Sequence, residues 1–166
     1  RAIAISATNS RALTYRGIAM FKQHEEDSQP MTPALINQAR GFIIRGNRAD
    51  PEDQVPLIAY YRSFGWADEP APMLALDGLH KAMRLVPQED SLRMELCMAL
   101  IRRRSVAPDG ARNLSIARNL LTPLAQSPHR SSQQNYALQL VEWIDAGANG
   151  NVPLFINMPE VEIADD

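Results

Sequence analysis

The side chains with the strongest capacity for chemistry come first. His24-Glu25-Glu26-Asp27 sets one imidazole and three carboxylates in a row, the donor types that zinc or a hard divalent cation takes. Consecutive residues cannot all face one ion without a dedicated loop, and no second ligand group lies nearby, so the stretch reads as a solvated turn. The metalloprotease spacing His-Glu-x-x-His is absent. His80, among Leu79, Lys81 and Ala82, reads as a helix flank; His129, after Pro128, reads as a turn or cap. Cys97 is the only thiol. A nucleophile needs an activating base, none can be assigned to it, and a buried, inert thiol is the reading. Neither a phosphate loop nor a Gly-x-Ser-x-Gly turn occurs. The expectation is a chain that is not an enzyme and holds no metal and no cofactor.

Arg102-Arg103-Arg104 raises the question of nucleic acid. Cations at a helix C-terminus answer the negative end of the helix dipole without any ligand. No aromatic side chains interleave with the run, and the chain as a whole is slightly acidic, with 17 basic against 19 acidic groups. No nucleic-acid binding is expected. Tyr60, Tyr61, Phe64 and Trp66 form the main aromatic cluster, and Tyr136 and Trp143 are read as packing the last helix.

The elements that must position these groups follow from the rest of the chain. It has 166 residues, 45% of them hydrophobic and 22% charged. That is enough for one ordinary domain with its own core or for a few stacked repeats. A single cysteine excludes an internal disulfide framework. No apolar run approaches the ~18 residues of a membrane-spanning helix, so no membrane insertion is expected. The sequence opens at Arg1, without methionine, and Ala2-Ile3-Ala4-Ile5 looks like the last turn of a helix running into the cap Ala7-Thr8-Asn9-Ser10. The expectation is a piece of a longer protein whose compartment signals lie elsewhere.

Apolar spacing is helical almost throughout. Ala12, Leu13, Gly17, Met20 and Phe21 recur at three and four, as do Leu92, Leu96, Ala99 and Leu100. Helices are expected at about 10–25, 32–47, 53–65, 70–86, 89–104, 110–126 and 131–146. Thr32-Pro33 and Asp50-Pro51 read as helix starts, with proline in the first turn after a capping residue. Gly147 reads as a stop.

One pattern repeats. Ala39, Ile43, Gly46 and Pro51 are matched, 36 residues on, by Ala75, Leu79, Ala82 and Pro87, and more loosely by Ala117, Leu121, Leu124 and Pro128. The small residues let a neighbouring helix come close, the large one fills the space between, and the proline ends the helix. A helix pair of this kind cannot bury its apolar face alone, but stacked pairs make a continuous core. The spacing resembles the second helix of the tetratricopeptide repeat (TPR). Leu13 with Gly17, and Leu96 with Cys97, match the leucine and small residue of that family's first helix. The resemblance covers residues 1–146 and implies about three and a half repeats, with a period a little above the family's ~34. It implies an all-α fold, an antiparallel helix-hairpin solenoid wound as a right-handed superhelix. The run from Ala39 to Pro51 also resembles the helical C-terminal tails of some bacterial peptidases that carry a zinc-type domain upstream.

In the TPR family the first helices of each pair line a concave surface that takes an extended peptide or a partner helix. Carried over, that surface holds Arg11, Tyr15, Ile18 and Lys22 on the first helix and Ile58, Arg62 and Trp66 on the second. The third offers Met94, Glu95, Met98 and Arg102. Cations with apolar groups between them suit a peptide carrying carboxylates and a few apolar anchors. Residues 147–166 are expected to form an irregular tail, with Val152–Met158 extended along the last helix and an acidic, frayed end. The function expected is a non-catalytic protein-interaction module that binds a peptide or partner segment, or packs on a missing N-terminal domain of the same chain. The exposed terminal repeats leave room for a homodimer. The alternative is a structural spacer, or the accessory C-terminal region of a larger bacterial protein such as a metallopeptidase whose catalytic domain lies upstream.

Overall fold

The computed structural model describes residues 9–26, 30–106, 108–127 and 132–155. The expectations for Ala2–Ile5, Asp27, Pro128, His129 and everything beyond residue 155 lie outside the described residues. Among those described, the fold is all-α, with seven helices and no strand. They are α1 (Ser10–Glu26), α2 (Pro33–Ala49), α3 (Gln54–Trp66), α4 (Met73–Leu85), α5 (Asp90–Arg102), α6 (Gly110–Ala125) and α7 (Ser132–Asp145).

Short polar side chains set several of the boundaries. The Asn9 side chain accepts from the Ala12 amide at 2.9 Å, and Thr32 accepts from Leu35 at 3.3 Å with Pro33 following it into α2. Each satisfies one of the amide donors that a helix start leaves without a partner. The third start differs from the sequence reading. Asp50-Pro51 is the connecting turn after α2, where the Asp50 carboxylate accepts from the Glu52 amide, and the cap of α3 is Asp53, accepting from Val55 at 3.1 Å. Asp50 was a plausible cap by residue type, but it already closes α2 by donating its amide to the Gly46 carbonyl. Two ends are Schellman turns. Asp68 takes φ +53° after α3, with Glu69 bonded back to the Phe64 carbonyl, and Gly147 takes φ +94° after α7, with Ala148 bonded back to Trp143.

The chain divides into two compact units, Arg1–Gln88 and Glu89–Asp166. In the first, α1 and α2 run antiparallel at very close range. A Cβ on Gly17 would stand 2.6 Å from the Ala39 carbonyl oxygen and 2.7 Å from Ile43. A Cβ on Gly46 would stand 2.7 Å from the Ser10 carbonyl and against the Thr14 hydroxyl. Ala39, Ile43 and Thr14 are fully buried in this seam, as the small-large-small spacing requires. Thr14 answers its hydroxyl on the Ser10 carbonyl at 2.8 Å, a bond within its own helix.

Helix α3 lies along the same pair, parallel to α1: Asp53 meets Ser10 and Arg11 at one end, and Trp66 meets Phe21 at the other. Arg40 of α2 holds its far end. It donates to the Ser63 hydroxyl and carbonyl at 3.1 Å each, pairs with Glu69 at 2.8 Å, and stacks 3.9 Å above the Phe64 ring. Helix α4 returns antiparallel on α3, with Lys81 bonded to the Pro51 carbonyl and Glu52. Ala75, Leu79 and Ala82 are fully buried there.

The second unit repeats the pairing. Cys97 of α5 faces the Ala117 carbonyl of α6, and Ala117 and Leu121 are fully buried. Helix α7 runs antiparallel to α6, tied at one end by Arg118 and Asp145 and at the other by Gln134, which donates to the Ala125 and Ser127 carbonyls. Ala137 and Leu140 are its fully buried side chains. After α7, Gly147, Ala148 and Gly150 all take positive φ, and the chain turns back along the helix it has just left.

Candidate functional site

In the first unit, α1 and α3 carry seven of the residues that the sequence assigns to a binding surface. Lys22 and Trp66 come together. They line one cleft of about 440 Å³ with Phe21, His24, Glu25, Met31, Ile36 and Asp68. Trp66 and Phe21 make an aromatic floor, their ring centroids 5.3 Å apart and their planes inclined at 47°. Met31 and Ile36 add apolar wall. Charged residues line it as well: Lys22, Glu25 and Asp68. The His24 Nδ1 is enclosed and has no hydrogen-bond partner among the described residues. Arg62, one turn before Trp66, is exposed on α3.

Arg11 stands at the other end of α1, some eleven residues and ~16 Å along the axis. Its Nε donates to Asp53 at 3.2 Å, and it lines a separate hollow with Asn9, Ser10, Ala49 and Asp50. It serves the junction of α1 with α3 and does not share the cleft. Tyr15 lies between these ends on α1, well exposed, and it lines neither hollow.

In the second unit the surface centres on a residue that the sequence reading kept for packing alone. The Tyr136 hydroxyl of α7 donates to the Pro153 carbonyl at 3.1 Å, with the Met98 sulfur of α5 3.5 Å away. Phe155 meets the Tyr136 ring edge-on, centroids 5.1 Å apart. Burial pushes the Tyr136 phenol up from its ordinary value, and the Arg102 charge opposes this in part. Met98 and Arg102 therefore gather at Tyr136, and the chain's own residues 153–155 lie on it. Glu95, one turn earlier on the same face of α5, is half-buried. The sequence signal for this was the apolar exit Val152-Pro153-Leu154-Phe155; what it lacked was the turn at 147–150 that aims it.

Cys97 is fully buried, its thiol pushed up to about 12 by burial, with Arg93 a smaller opposing influence. A thiol held protonated is not a nucleophile at neutral pH. Arg102 ends α5, Arg103 caps it, and Arg104 turns its guanidinium to the Ile101 carbonyl and over the Trp143 ring, 5.4 Å away. Among the described residues, no group of three His, Cys, Asp or Glu stands close enough to hold a metal ion, and no helix is long and apolar enough to cross a membrane.

Compared with known proteins, the chain matches no family model, no curated protein and no solved structure.

Proposed function

We propose that this chain is a protein-interaction module that receives a segment of a partner protein on the exposed face of α1 and α3. The observation that carries the reading is the joint placement of Lys22 and Trp66, from two helices, in one aromatic-floored cleft. An aromatic ring with one face open to solvent offers a large apolar contact at low entropic cost, which is why such rings anchor interfaces. Lys22 beside it supplies a charge for a carboxylate, and Arg62 lies on the same side of α3. The helix pairing of both units, with small residues in the seams, supports a TPR-like architecture for the module.

Selection of displayed peptides on the intact chain tests this, followed by titration of the recovered peptides into parent, Trp66→Ala and Lys22→Glu proteins. Recovered peptides should share an apolar anchor and a neighbouring acid, and each variant should weaken them by ~10-fold or more. Peptides that bind all three proteins equally would place the binding surface elsewhere and end the reading.

A further inference from the structure

The tail of the second unit is held by contacts of a particular kind. Trp143 donates its indole N–H to the Asn149 carbonyl at 3.0 Å, and Tyr136 donates its hydroxyl to the Pro153 carbonyl at 3.1 Å. Helix α7 thus takes the returning strand-like segment by its main chain, antiparallel, at two points. Side chains add to this: Phe155 stands edge-on to Tyr136, and Val152 and Pro153 are half-buried. Leu154, between them, points away and is 80% exposed, and Phe155 itself is 51% exposed. Main-chain bonds plus a pocket for one side chain are how extended peptides are recognised in general. A segment built into a core would instead bury its large side chains, as Leu140 and Leu121 do here.

We propose that the surface formed by Met98, Arg102, Tyr136 and Trp143 is a docking site for an extended Pro-x-Phe segment followed by acidic residues, and that residues 149–155 of this chain are its resident occupant, which a partner segment of that chemistry displaces. The acidic preference comes from charge. Arg102 lies at the Tyr136 end of the site, and the sequence that follows Phe155 carries Glu160, Glu162, Asp165 and Asp166 with no basic residue. The turn at Gly147, Ala148 and Gly150 presents the segment at high local concentration, so a competitor must overcome an effective molarity of order ~mM. This site is separate from the cleft between α1 and α3 and stands or falls without it.

The test uses the full-length chain and a labelled synthetic peptide of residues 149–166, which carries the Pro-x-Phe segment and the acidic residues after it, with a scrambled peptide as control. In the parent the site is filled, and the peptide should bind weakly. A full-length Pro153→Gly, Phe155→Ser variant vacates it and should bind the peptide ~10-fold or more tightly than the parent, with Tyr136→Phe in the same background removing most of that gain. Circular dichroism checks that the helices persist. Equal binding by parent and vacated variant, or equal binding of the scrambled peptide, would overturn the proposal. A second readout needs no variant. In the parent, excess unlabelled peptide should move the chain's own Phe155 amide resonance toward its position in the free peptide, because the displaced resident segment leaves the Tyr136 ring, and an unmoved resonance at saturating peptide counts against displacement.

Discussion

The Cys97 thiol lies 3.6 Å from the Ala117 carbonyl oxygen, its donor aimed at a backbone acceptor across the seam between α5 and α6. Gly17 faces the Ala39 carbonyl across the seam between α1 and α2. The two helix pairs thus share one device: a small residue on the first helix set against the carbonyl of the alanine that opens the repeated spacing on the second. In the second pair the space allows a sulfur atom, whereas in the first even a methyl group would collide.

Burial of that thiol makes stability depend on alkali. In the unfolded chain Cys97 ionises near 9.0, and in the folded chain near 12. The folded state therefore keeps a proton that the unfolded state has lost. The contribution is complete below pH 9 and is lost as pH rises toward 12, at up to about 1.4 kcal/mol per pH unit. Urea melts at pH 8 and pH 11 should show this loss in the parent and a smaller one in Cys97→Ala. Maleimide labelling at neutral pH should be slow in the folded chain and fast in urea.

Two glycines on neighbouring helices should respond oppositely to alanine. At Gly17 the new Cβ meets a backbone carbonyl at 2.6 Å, and backbone cannot rotate away; overpacking of this kind costs about 1–3 kcal/mol. At Gly41, in the middle of α2, the Cβ meets nothing within 4 Å. There the substitution only restricts the unfolded chain and improves helix propensity, and a gain of about 0.5–1 kcal/mol is expected. Thermal melts of the two single variants decide both signs.

Arg40 joins α2 to the end of α3 through Ser63, Glu69 and the Phe64 ring. Its side chain is largely buried, so truncation strands several partners at once. Arg40→Ala should lose about 2–4 kcal/mol, from charged hydrogen bonds and the ring contact together. Arg40→Lys should recover less than half of it, because an ammonium cannot span serine and glutamate while lying flat on a ring. Chemical denaturation of the three proteins gives the comparison.

The pair Arg118–Asp145, bonded at 2.6 and 2.9 Å, is exposed to solvent. The hydrogen bond from Arg118 holds the Asp145 carboxyl below its ordinary 3.8. Its contribution is present above that value and is lost as pH falls through the lowered one. Solvent screening keeps it small. Asp145→Asn should lower the melting temperature slightly at neutral pH in low salt, and the difference should vanish at high salt or in strong acid.

Much of this architecture was legible in the residues. The series Ala39-Ile43-Gly46 could only be a contact face for a close neighbour, and Gly17 could only be the residue that lets the neighbour in. Capping by Asn9 and Thr32 and the stop at Gly147 followed from residue type. The candidate sites were less legible, because they depend on which way long side chains turn. Arg11 shares a helix face with Tyr15 and Lys22 by spacing, yet Asp53 draws it into the α1–α3 junction, and the sequence pointed to Asp50 as the cap, not to Asp53. Tyr136 read as packing the last helix; the apolar exit pointed to a segment lying along that helix, but no local pattern says that the Pro153 carbonyl will meet a hydroxyl seventeen residues earlier.

The seam at Gly17 and Gly46 has a consequence for motion. Side chains that separate two helices can swap rotamers and let them breathe. Here backbone lies almost on backbone, so the helices have no such cushion and must move together or part altogether. Amide hydrogens along Gly17, Ala39 and Ile43 should exchange with solvent only through an opening of the whole pair, and be among the slowest in their unit. The stretch after Gly147, held by two carbonyls and the edge of a ring, should exchange fast. The molecule then carries a time axis as well as a shape: a hinge-free pair at one end of the sequence, and at the other a segment that lets go many times before that pair does once.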